Sequence, residues 1–160
     1  MFDCFVFNQW QLTKNCTTDE EKRRQLIDGL RFSVRACGSL MLCCTAGPSG
    51  VGWESPAPFS RVWCLFEVYV AITEAAHVIV KLATNDMVEF QKALNKNGME
   101  RVDRALAGLD ARKADASVDS DKEMILHNIE QTVGLDGFNS RVRESMREEY
   151  KRIATSAGMR

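Results

Sequence analysis

No apolar run in this sequence reaches the roughly 18 residues that a membrane-crossing helix needs. Neither sign of charge is in excess: 21 Lys and Arg face 22 Asp and Glu, a formal net charge of -1. That balance removes the electrostatic case for nucleic acid or an acidic membrane as a partner. The six cysteines (Cys4, Cys16, Cys37, Cys43, Cys44 and Cys64) contain no C-x-x-C pair and no Cys/His ligand spacing. They sit mostly inside apolar stretches, which predicts reduced, buried thiols in a cytoplasmic protein rather than a disulfide frame or a zinc site. A thiolate is disfavoured in such surroundings, which argues against a redox role. Histidine is scarce, and His77 and His127 stand in no recognisable Ser/His/Asp motif. The glycines from Gly47 to Gly52 lack the lysine and spacing of a phosphate loop. A strand-like run follows Met1 directly, so no signal peptide is expected.

What is present is an ordinary globular composition, 45% hydrophobic and 27% charged, long enough for one core and read as one domain over residues 1–160. Phe2-Asp3-Cys4-Phe5-Val6-Phe7 reads as a buried strand. Asn8, Gln9 and Trp10 follow at its C-terminal end, the edge where open α/β sheets collect ligands. Asn8 and Trp10 are therefore candidate binding residues; in the plainer alternative, Asn8 and Gln9 only satisfy loop backbone. Thr18-x-x-Glu21 is a capping-box pattern opening a helix over Asp19 to Cys37, with Leu26, Leu30, Val34 and Cys37 at helical spacing and Gly38 as its stop. Ser39 to Cys44 is apolar on both faces, as in the centre of a parallel sheet. Adjacent Cys43 and Cys44 must point to opposite faces of that strand. Ala46 to Phe59 holds Pro48, Pro56, Pro58 and several glycines and reads as a loop, with Trp53 and Glu54 placed to cover or line a pocket.

A helix from about Ser60 to Ala76 and a strand from His77 to Leu82 complete an α/β part over 1–83. The part over 84–160 reads as mainly helical. Asp86-x-x-Glu89 opens a helix stopped near Gly98. Val102, Leu106 and Leu109 mark the next. A second capping box, Ser120-x-x-Glu123, leads a helix through Ile125 and Ile129 to Gly134. Phe138, Val142, Met146, Tyr150 and Ile153 mark the last. Asp110 to Asp119 reads as a loop or a short fourth strand. Three strands are few for such a sheet, so the chain is expected to lack an N-terminal strand and helix of a fuller version, leaving one sheet edge exposed.

One stretch organises the rest: Ser60-Arg61-Val62-Trp63-Cys64-Leu65-Phe66-Glu67. At about 100° per residue, Val62, Leu65, Phe66, Val68, Tyr69 and Ile72 fall on one side of the helix. Trp63, Glu67, Val70 and Glu74 fall on the other. On the bland reading Glu67 is simply solvated. That reading leaves Trp63 and Val70 beside it unexplained.

The run S-R-V-W-C-L-F-E resembles the helix start of TIR domains, above all the plant type with its S-x-W-C-L-x-E pattern. With Phe5-Val6-Phe7-Asn8-Gln9 and Leu109-Asp110-Ala111-Arg112-Lys113-Ala114 it looks like a TIR-like group of protists, algae and fungi, often found beside tetratricopeptide or kinesin-light-chain repeats. The resemblance implies a flavodoxin-like, three-layer parallel sheet, here without its first strand and with a helical C-terminal portion. It implies cleavage of NAD at the nicotinamide–ribose bond by a NAD glycohydrolase whose catalytic carboxylate is Glu67, with Trp63 walling the nicotinamide side and no metal. NAD would be substrate rather than cofactor. Carboxylates flanking a glycosidic bond suit that chemistry. The other reading it allows is a non-catalytic module that self-associates or binds other TIR-like domains. A third is a sensor that holds a nucleotide without turning it over.

Overall fold

A computed structural model of the chain describes residues 15–46 and 52–158. The expected strand Phe2–Phe7, the candidates Asn8 and Trp10, and residues 47–51 of the loop lie outside the described residues. The described chain is mixed α/β and largely helical. Helix α1 (Asp19–Cys37) leads into strand β1 (Ser39–Cys44). A 3-10 turn (Ala57–Ser60) precedes α2 (Val62–Thr73) and strand β2 (His77–Leu82). Then come α3 (Thr84–Asn97), α4 (Glu100–Ala107), a 3-10 turn (Ala111–Lys113), α5 (Asp119–Thr132) and α6 (Leu135–Gly158).

Local signals account for α1. The Thr18 hydroxyl accepts from the Glu21 N–H, and the Glu21 carboxylate accepts from the Thr18 N–H, closing a capping box. Gly38 ends the helix at φ 65°, where a side chain would be strained. The buried face is Ile27, Leu30 and Val34, whereas Leu26 is only half-buried and Cys37 is exposed. β1 and β2 pair in parallel, with Ser39 opposite His77 and Cys44 opposite Leu82. One face, made by Leu40, Leu42, Cys44, Val78 and Val80, enters the core. The other face of β1 is exposed, with Met41 at 50%. Among the described residues this strand is therefore not covered on both sides, as its composition suggested.

α2 is the central element. It packs against α1, α5, α6 and both strands, and Val62, Leu65, Phe66, Glu67, Val68, Tyr69, Val70 and Ala71 are all buried. Burial on both sides explains why its sequence is apolar almost all round. The helix ends at Thr73, short of Ala76, because Ala75 turns to φ 53° and the Ala76 N–H bonds back to the Ala71 carbonyl. α6 lays Phe138, Val142, Met146 and Tyr150 against the core, each no more than 1% exposed. Trp53, Phe90 and Tyr150 form an aromatic cluster with centroids 5.3 and 5.5 Å apart.

Two expected caps are not caps. α3 and α5 start after Ala83 and Val118, without a side-chain cap. Asp86 instead accepts the Gly52 N–H at 3.0 Å, tying the loop after β1 to α3. The segment Asp110–Asp119 holds a 3-10 turn and a single parallel bridge between Arg61 and Asp115, not a fourth strand. No helix among the described residues is long and apolar enough to cross a membrane.

Candidate functional site

The stretch Ser60–Glu67 is fastened at its start. The Asp115 N–H donates to the Ser60 carbonyl at 2.7 Å, and the Val62 N–H donates to the Asp115 carbonyl at 2.9 Å. The Val62 N–H is one of the first-turn donors that no residue of α2 can satisfy, so a distant backbone carbonyl replaces the missing cap. Asp115 follows directly on Leu109–Ala114, so two motif segments far apart in sequence become neighbours.

That second segment is held in turn by α6. Asn139, 2% exposed, accepts the Ala111 N–H at 3.0 Å and donates through Nδ2 to Asp110 at 2.9 Å. Arg143 donates from Nε to the Leu109 carbonyl at 3.0 Å, and Arg112 pairs with Asp136 at 2.6 Å. Desolvation tends to raise the Asp110 pKa, but hydrogen bonds from the Arg112 N–H and Asn139, with the Arg112 charge, outweigh it and hold the carboxyl below its ordinary range.

Trp63 stands on the first turn of α2, half-buried. Its indole Nε1 donates to Asp121 on the first turn of α5 at 3.1 Å, and its ring meets Phe66 edge-on at 6.4 Å. One turn further along, Glu67 is only 9% exposed. The bland reading, in which Glu67 is simply solvated, is thus overturned: Trp63 and Glu67 share a side of α2, but α5 packs on this helix and closes over the Trp63 end. Burying a carboxylate is costly and calls for compensating interactions.

Trp53 and Glu54 part company. Trp53 is a core residue, 2% exposed, with its carbonyl accepting from Tyr150 at 2.9 Å and the Arg101 guanidinium 5.4 Å from its ring centroid. Glu54 pairs with Arg101 and lines a cavity of about 260 Å³ with Phe59, Asp110 and Lys113. A cleft of about 760 Å³ runs between α1 and α5. Trp63 and Glu67 line neither this cleft nor the cavities of about 450 and 260 Å³. Burial pushes the Cys44 thiol up to about 12 and lifts the Tyr150 hydroxyl well above its usual range, so neither is a nucleophile at neutral pH. Among the described residues no group of three or more His, Cys, Asp or Glu could hold a metal ion.

The residues that sequence reasoning did not single out are Asp115, Asp121 and Asn139. Each acts across the fold on a partner 28 or more residues away, and no local pattern marks such a role. Comparison of the chain with family models, with curated proteins and with solved structures returned no match.

Proposed function

We propose that this chain is a TIR-like signalling domain with a flavodoxin-like sheet, acting as a protein–protein interaction module that self-associates. The observation that carries this reading is the condition of the motif residues. Glu67 is 9% exposed, the Trp63 indole is engaged by Asp121, and among the described residues neither lines the cavities of about 760, 450 and 260 Å³. A carboxylate that attacks or flanks a glycosidic bond must reach the sugar. One that is enclosed serves the packing of α2 instead. The parallel β1–α2–β2 crossover, with W-C-L-x-E at the head of its helix, fits the proposed fold.

The second reading is NAD cleavage with Glu67 as the catalytic carboxylate, and one observation favours it. A carboxylate buried in an apolar helix is costly, and such groups concentrate at functional sites. Two measurements separate the readings. Light scattering across protein concentrations should show mass rising above that of the 18.0 kDa chain; a monomer throughout would overturn the module reading. Chromatography of NAD incubated with concentrated protein should show no nicotinamide release. Release that disappears in Glu67→Gln, with helix content retained, would establish the enzyme.

A further inference from the structure

The cleft between α1 and α5 is lined on the α1 side by Glu20, Arg23, Arg24, Ile27, Asp28 and Arg31. These positions recur at three- and four-residue steps and share one side of the helix over about 17 Å. Across the cleft α5 contributes Met124, which with Ile27 is buried at its floor, and exposed Glu123 and His127. Three arginines and three carboxylates line it together. A cleft with no net charge is a poor receptor for a phosphate or a polyanion. It suits a partner whose charges alternate in the same way.

We infer that this partner is a second copy of the chain, with α1 of each copy lying antiparallel in the cleft of the other. The inference rests on the self-association proposed above and names its surface. The order of charges along α1 is self-complementary in one direction only. A two-fold axis between Gln25 and Leu26 sets Glu20 opposite Arg31 and Arg23 opposite Asp28 of the second copy, in both halves of the pair. It also sets Arg24 opposite Ile27, so the aliphatic stem of the arginine covers the isoleucine. Parallel pairing would set Glu20 against Glu20 and Arg31 against Arg31. Charge order thus selects the antiparallel arrangement, as flanking charges do in helix pairing generally.

The groups concerned are available for exchange. Among the described residues Glu20 pairs with Arg24 at 3.9 Å, with side chains 87% and 68% exposed. A pair so exposed contributes little.

The test is charge reversal with recovery by mixing. Sedimentation equilibrium at low salt is run on the unmodified chain, on Glu20→Arg, on Arg31→Glu, and on an equimolar mixture of the two variants. Each variant alone opposes like charges at both ends of the pairing and should weaken association at least about tenfold. The mixture re-forms opposite charges at both ends and should associate like the unmodified chain. Variants that associate unchanged would overturn this surface while leaving self-association standing. Weakening without recovery in the mixture would overturn the antiparallel register. A chain monomeric at every concentration would overturn both readings. If either variant loses its circular dichroism signal, Arg23→Glu and Asp28→Arg make the same comparison at the inner pair.

Discussion

Replacing Asn139 by alanine removes two hydrogen bonds. The Ala111 N–H loses its acceptor in a residue that is 0% exposed, and Asp110 loses a donor at 2.9 Å. An orphaned buried N–H costs about 1–3 kcal/mol and a lost hydrogen bond to a charged group about 1.5–3 kcal/mol, less whatever relaxation, the remaining Arg112 donors or an entering water recovers. We expect a net loss of roughly 2–4 kcal/mol. For a chain of this size that lowers the melting temperature by roughly 5–15 °C. The assay is thermal unfolding followed by circular dichroism at 222 nm. The pH dependence gives a second reading of the same interaction. A carboxyl held below its ordinary 3.8 contributes stability that is present above that pH and is lost as pH falls through the depressed value. Removing the Asn139 donor lets the Asp110 pKa rise toward normal, so the gap between the two proteins should narrow below about pH 4. A variant melting within about 1 °C of the unmodified chain would refute the claim that Asn139 holds the loop beneath α2.

Two further expectations follow from packing and burial. In Gly52→Ala the new methyl would collide with the Asp86 carboxylate and lie 2.9 Å from the Ala46 nitrogen. A loss of about 1–3 kcal/mol is expected in urea unfolding, and adding Asp86→Ala should recover only part of it, because the backbone contact remains; full recovery would show that the backbone was not limiting. Iodoacetamide at pH 8 should label exposed Cys37 and Cys43 in the native protein and spare Cys44, which is 1% exposed with its thiol raised to about 12. Peptide mass spectrometry finding Cys44 labelled as fast as Cys43 would contradict that burial.

The elements that were legible are those whose signals are local. Thr18, Glu21 and Gly38 mark the ends of α1 because the groups that satisfy its end lie within a few residues. Cys43 and Cys44 face opposite ways because successive side chains on a strand must. The misread caps show where local reasoning stops. Asp86-x-x-Glu89 has a capping pattern, yet its aspartate is taken by the Gly52 N–H on a loop 34 residues away. A carboxylate has a limited number of acceptor sites, and tertiary proximity decided which donor reached it. Ser120-x-x-Glu123 likewise matches the pattern, but the N-cap is Val118, two residues before Ser120.

The sequence by itself determined the order and type of the elements from α1 to α6, the two strands, and the placing of Trp63 and Glu67 on one side of a helix, since these follow from chain periodicity and end chemistry. Only the tertiary structure decided that this side is closed over. The Trp63 indole is answered by Asp121, 58 residues away, and the head of α2 is capped by the Asp115 backbone, in a segment that Asn139 holds at Asp110 and Ala111. The physical reason is that a helical wheel records which residues share a side. Whether that side meets water or another helix depends on elements folded back from far along the chain.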